Sequence, residues 1–304
     1  IELRASLGYA VADRHDLTAE EVLGRAARAL YDVKRRGRGD IARYDGAGPL
    51  FGSTGELLRQ LRTAFEEQQF FLRYQPIVPL DGTMDSAEAL IRWDHPELGE
   101  RSPADFIDAV LDGPLATSLA RWVITTALDQ LTSWRERGLV GPGFTMHVNI
   151  APQQLPDVGL VQHVINALER TAPDPACLVL EVTAQALFEL DHAASNLKRL
   201  EETGVQMYLD DFGTGASSLS HLRSPILDGL KIDRSFLDGL EQGGRDTAIV
   251  EGLVALAAGT QLDLIAEGVE RPAQRDWFAE HPTARLQGYL FGRPERAEVL
   301  EARF

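Results

Sequence analysis

At 304 residues, 44% of them hydrophobic and 25% charged, the chain has enough apolar content for a sizeable core in one large domain or two smaller ones. A formal net charge of −16 argues against extended contact with a nucleic-acid polymer, but it leaves room for a small phosphorylated ligand held through metal ions. The single cysteine, Cys177, excludes a disulfide within the chain and fits a cytoplasmic compartment, and no apolar stretch reaches membrane-spanning length.

In chain order, Leu3 to Val11 reads as a strand, and Thr18 with Glu21 forms a capping box. The following helix carries Val22, Leu23, Ala26, Ala27, Leu30 and Val33 on one stripe and ends after Lys34-Arg35-Arg36. Ala42 to Tyr44 reads as a closing strand, and Asp45-Gly46-Ala47-Gly48-Pro49 as a linker. Residues 1–50 therefore look like the tail of one domain and residues 51–304 like a second. Because the first element is already a strand, the chain reads as a piece of a longer protein, with room for an upstream sensory or membrane segment.

From residue 55 the pattern becomes regular. A helix over Glu56–Gln68 leads into the strand Phe70–Val78. Further strands are expected at Ser86–Trp93, Thr145–Ile150, Leu178–Thr183, Val205–Asp211, Gly229–Asp233, Leu262–Glu267 and Leu286–Phe291. Helices such as Ala116–Arg137, Leu160–Thr171, Ala193–Thr203 and Arg245–Gly259 fall between them. Strands alternating with helices imply parallel crossover units, and eight strands over about 250 residues imply a closed (β/α)8 barrel of the TIM type.

Most of these strands carry polar residues at or near their ends: Glu88 and Arg92, Asn149, Glu181, Asp210 with Asp211, Lys231, Glu267 and Gln287. From Asn149 onward the steps are 32, 29, 21, 36 and 20 residues (149→181→210→231→267→287), the sizes of strand–helix repeats. In a barrel, corresponding strand ends meet at one face, so these residues converge. A lone glutamate is more often half of an ion pair, a lone Asn149 a turn residue, and a lone Lys231 a surface lysine. Jointly, five carboxylates in one mouth need cations to stay ionised together. All-oxygen ligands without cysteine or histidine suit Mg²⁺ or Mn²⁺, and two such ions could clamp a phosphate ester and activate water.

The motifs at these positions resemble the EAL domain, the cyclic di-GMP phosphodiesterase family. They are Glu88-Ala89-Leu90, Val148-Asn149-Ile150, Leu180-Glu181-Val182-Thr183, Asp210-Asp211-Phe212-Gly213-Thr214-Gly215, Lys231-Ile232-Asp233, Ala266-Glu267-Gly268-Val269-Glu270 and Gln287-Gly288-Tyr289. The resemblance implies an α/β TIM-type barrel with one antiparallel strand, and hydrolysis of cyclic di-GMP to linear pGpG. It implies metal binding by Glu88, Asn149, Glu181, Asp210, Asp211 and Glu267, with Ca²⁺ inhibitory. It also implies that Lys231 and Gln287 act on the attacking water, and that Gln75, Leu90, Arg92, Asp233 and Glu270 contact substrate. A homodimer is expected, and His95 is expected to be structural.

Ala5-Ser6-Leu7-Gly8-Tyr9-Ala10 and Ala29–Arg38 resemble the end of a GGDEF domain, with Ala27 where that family usually has Asp; no cyclase activity follows from so short a remnant. Within the barrel, Ala184 stands where the EAL family usually has a glutamate that anchors the loop after Asp210-Asp211, and Ala216 replaces an aromatic. That departure carries the expectation of weakened catalysis. It also motivates an alternative reading, a cyclic di-GMP receptor without useful turnover.

Overall fold

The structure, a computed structural model, describes residues 7–11, 22, 26, 29, 41–44, 54–171, 174–183, 190–212, 224–240, 243–281 and 283–304. Ala27 and nearly all of the helix expected after Thr18, the Asp45–Pro49 linker, Ala184, and the loop from Gly213 with Ala216 lie outside the described residues. The chain divides into two compact units, Ile1–Phe70 with Trp93–Gly113, and Phe71–Arg92 with Pro114–Phe304.

In the first unit, β1 (Leu7–Tyr9) pairs in parallel with β2 (Ile41–Arg43). The helix Thr54–Glu66 buries Leu61 and Ala64. Phe70, Trp93 and Phe106 form an aromatic cluster with ring centroids 5.6 to 6.1 Å apart. His95 belongs to this unit: its Nδ1 accepts from the Glu97 and Leu98 N–H groups, and its ring packs on Trp93. That is a turn-closing role, as expected of a structural histidine.

The second unit is the barrel. Its strands are β3 (Phe70–Val78), β4 (Ser86–His95), β6 (Thr145–Ile150), β7 (Leu178–Thr183), β8 (Gln206–Phe212), β9 (Gly229–Ile232), β10 (Asp263–Ala266) and β11 (Ala284–Gln287). The short β5 (Gly99–Arg101) pairs antiparallel with the end of β4, in the first unit. The hydrogen-bonded order β3-β11-β10-β9-β8-β7-β6-β4 closes through a β3–β4 pairing. Neighbours from β4 through β11 run parallel, and β3 is antiparallel to β11. This is the expected eight-stranded mixed barrel. Strands such as β7 and β9 are buried over nearly their whole length, as strands covered on both faces must be. Ile77, Val179, Tyr208 and Ile265 form a core cluster, and helices such as Ala116–Glu136 turn their apolar stripe inward through Leu119, Ile124, Leu128, Leu131 and Trp134.

β10 and β11 both end before their expected limits, each just before a glycine. β10 stops at Ala266 because Gly268, at φ +72°, turns the chain. β11 stops at Gln287 because Gly288 lies so close to the Val269 backbone that an added Cβ would sit 2.1 Å from the Val269 carbonyl oxygen. Only glycine permits that approach.

Candidate active site

Side chains alternate across a strand, so Asp210 and Asp211 should point to opposite faces. The structure resolves this with a register shift in the β8–β9 pairing between Leu209 and Phe212. Asp211 adopts φ +52°, a left-handed conformation that Asp tolerates better than most residues. Such bulges re-aim side chains. Here one oxygen each from Asp210, Asp211 and Glu267 come within 4.8 Å of one another. The Asp211 N–H donates to Asp210 Oδ1 at 2.8 Å, which fixes the kink.

Beside this trio lies Lys231, 1% exposed. Its Nζ is 2.6 Å from Glu267 Oε1, 2.8 Å from Glu181 Oε2, 3.3 Å from Glu88 Oε2 and 3.8 Å from Asp210 Oδ1. Glu88 also accepts from Asn149 Nδ2 on Oε1 and from Gln287 Nε2 on Oε2, both at 2.6 Å. Gln287 contacts Gln75 at 3.3 Å, and Gln75 donates to the Gly292 carbonyl.

One ammonium facing four carboxylates sets the electrostatics. Burial alone would push the Lys231 ammonium down, but Glu181, Glu267, Glu88 and Asp210 outweigh it and hold it well above its ordinary value. Burial, with Glu88 close by, raises Glu181 well above the usual carboxylate range. Burial and neighbouring carboxylates raise Asp210, push Glu267 up to about 8 and push Asp211 up to about 6. Burial also works against the Glu88 carboxylate, but Lys231, Gln287 and Asn149 overcome it and keep its value low. Carboxylates raised in this way hold protons that a bound metal ion would displace. The site's oxygen donors fit a hard divalent cation. With Asn149 Nδ2 committed to Glu88, its Oδ1 is left for such an ion, and among the described residues Gln287 Oε1 is buried without a hydrogen-bond partner.

The cluster opens into a cavity of about 210 Å³ lined by Gln75, Glu88, Leu90, Asp233, Glu267, Glu270 and Gln287, together with Arg234, Gly268, Gly288 and Tyr289. Asp233 combines this position with a cap, accepting from the Ser235 N–H at 2.9 Å. Arg92 does not line the cavity; it is half-buried and donates to the Ile91 carbonyl. Tyr289, 49% exposed, lies under the Arg293 guanidinium at 4.0 Å. Arg234 and Tyr289 are cavity residues that the strand-end pattern alone did not single out. His147 is another addition to the site, at 2.9 Å from Glu181. Its signal was available: it lies two residues before Asn149 on one strand face.

Residues 58–294 match the family of the EAL domain. The chain belongs to the EAL domain family. Among curated EAL relatives, it is 35% identical over 305 residues to the bifunctional diguanylate cyclase/cyclic di-GMP phosphodiesterase MucR of Pseudomonas aeruginosa, covering 99% of this chain and 44% of that protein. It is 37% identical over 303 residues to the cyclic di-GMP phosphodiesterase NbdA of the same organism, covering 98% of this chain and 38% of that one. The chain thus spans less than half the length of either relative. The EAL barrel also superposes on the solved MucR phosphodiesterase in complex with cyclic di-GMP, at TM-score 0.74 and 39% identity over 81% of this chain and 99% of that one. The EAL enzyme Bd1971, bound to cAMP and cyclic di-GMP, matches at TM-score 0.78 and 28% identity over 94% of this chain and 76% of that one. Among the described residues no helix is long and apolar enough to cross a membrane.

Proposed function

We propose that this chain is a metal-dependent phosphodiesterase that opens one phosphodiester bond of cyclic di-GMP to give linear pGpG. The observation that carries the reading is the buried Lys231 facing Glu88, Glu181, Asp210 and Glu267 at the end of a polar cavity, in a chain whose EAL relatives are named for this activity.

In this reading Asp210, Asp211 and Glu267, with Glu88, Asn149 and Glu181, hold Mg²⁺ or Mn²⁺, which supplies Lewis acidity and an activated water when bound. The chain's own residues do the rest. Lys231 presents its ammonium beside the water and the departing charge. Gln287, anchored on Glu88 through Nε2, aims its free Oε1 carbonyl inward to accept from the water. Gln75, Leu90, Asp233 and Glu270 shape the cavity around the nucleotide, with Arg92 assigned to the same role by motif alone.

Replacing Glu88 by Ala removes the acceptor shared by Asn149, Gln287 and Lys231. Turnover of cyclic di-GMP with Mg²⁺ or Mn²⁺, read as pGpG by chromatography, is expected to vanish. Turnover at the parent rate would refute the assignment. The same assay decides the second reading, a receptor that binds without hydrolysis. That reading is favoured by Ala184, an alanine where the EAL family usually has a loop-anchoring glutamate; binding by calorimetry with no pGpG from the parent would establish it. We further assign residues 1–50 to the tail of a GGDEF domain, supported by the match to the bifunctional MucR running over 99% of this chain.

A further inference from the structure

Glu181 is one of the most enclosed acids of the site, with a side-chain exposure of 0%, and Lys231 holds only one of its oxygens. The other, Oε1, faces His147. This residue sits on β6, two positions before Asn149, and is itself 1% exposed. The Nδ1–Oε1 distance is 2.9 Å. The imidazole is held from a second side, because the Tyr208 ring meets it edge-on at 5.2 Å and 89°. Tyr208 is fixed in turn: its hydroxyl donates to Asp263 at 2.6 Å, and its ring occupies the space over Gly229. The remaining ring nitrogen, Nε2, lies 3.4 Å from the Thr145 hydroxyl oxygen, whose own proton goes to Ser86.

We propose that His147 is a positioning residue for metal binding, which locks the plane of the Glu181 carboxylate so that its free lone pairs point at the ion. The proposal rests on the phosphodiesterase reading only for which ion the site takes. The geometry limits what else His147 can do. It is not among the residues lining the cavity and faces a separate one with Thr145 and Tyr208, so it does not touch substrate. With an ion bound the Glu181 carboxylate is charged and accepts from the Nδ1–H, and the Thr145 hydroxyl then turns its proton toward Nε2. Groups that orient ligands in this way typically change metal affinity by about 10–100-fold when they are lost.

The test is Mn²⁺ binding to the full chain, measured by calorimetry and by the electron paramagnetic resonance of free Mn²⁺, without substrate. His147→Phe keeps the ring against Tyr208 but removes the donor. It is expected to weaken Mn²⁺ binding about 10–100-fold and to raise the half-activating Mn²⁺ concentration by the same factor, with KM for cyclic di-GMP unchanged at saturating metal. His147→Asn places an N–H near the Nδ1 position and is expected to stay within about threefold of the parent. If the phenylalanine variant does not fold, as judged by circular dichroism, His147→Ala serves in its place. Parent-like Mn²⁺ binding by the donor-less variant, or equal loss in the Asn variant, would overturn the proposal. A parent that shows this His147 dependence but releases no pGpG overturns the proposed activity and leaves the positioning role standing.

Discussion

Replacing Lys231 with methionine keeps most of the side-chain volume and deletes the charge at the centre of the site. Nζ lies within 3.8 Å of four carboxylates, and each unit-charge pair at 4 Å is worth about 4 kcal/mol at an effective dielectric of 20. Desolvation offsets most of that gross attraction, and breaking a buried ion pair by removing one partner costs about 3–5 kcal/mol net. For a domain of this size that corresponds to a fall in melting temperature of roughly 6–20 °C. The loss is limited by proton uptake: carboxylates without their cation bind protons in place of it. Without Lys231 the folded state therefore holds more protons than the unfolded chain over a wider pH range. Stability falls with pH wherever the folded state binds more protons than the unfolded one. The gap between Lys231→Met and the parent should thus be largest near pH 8 and shrink toward pH 5.5. The assay is thermal unfolding followed by circular dichroism in EDTA at both pH values. Superimposable melts at pH 8, or a gap that is the same at both pH values, would refute the argument that Lys231 is the main neutraliser of the cluster.

Two further outcomes follow from the same geometry. Gly229→Ala places a Cβ 2.5 Å from the Tyr208 ring; overpacking of this kind costs about 1–3 kcal/mol, and the melting point should fall, with Tyr208→Leu in the same chain recovering most of it. An undiminished melting temperature in the single variant would contradict the close approach of ring and glycine. Burial and neighbouring acids push Asp211 up to about 6 and Glu267 up to about 8, so Mn²⁺ affinity by calorimetry should climb from pH 6 to pH 8 as the ligands lose protons, then level off. Over the same interval the metal-free protein loses stability, because the raised carboxylates keep protons that the unfolded chain releases from its ordinary value upward; affinity independent of pH would refute this.

The elements most legible in the sequence are those with one dominant cause. β7 and β9 read as buried strands because apolar runs of their length have little alternative, and the helix Ala116–Glu136 announced itself by its spacing. The barrel followed from the alternation, and the position of the site from polar residues recurring at strand ends. What could not be read was geometry that depends on two segments at once. The strand end at Gln287 is set by Gly288 meeting the Val269 backbone, a contact between different turns. The convergence of Asp210 and Asp211 depends on a bulge against β9, whereas their adjacency in sequence alone places them on opposite faces. His147 shares a strand face with Asn149, but its meaning comes from Glu181 on the next strand, which that spacing does not name.

Lys231 is the instructive case, because taken singly it reads as a surface lysine. Yet β9 is Gly229-Leu230-Lys231-Ile232, and all four residues are buried. A lysine in so short and apolar a parallel strand has no route for its ammonium to reach bulk water, since the strand's neighbours on both sides are strands of the same barrel. An isolated charge there would cost more than the fold could offset. The ammonium must therefore meet acids inside the barrel, and acids in excess of one must in turn be offset by something besides lysine. The imbalance of one buried cation against four facing carboxylates is thus a statement about function as well as stability: it is the charge deficit that a bound divalent ion would fill.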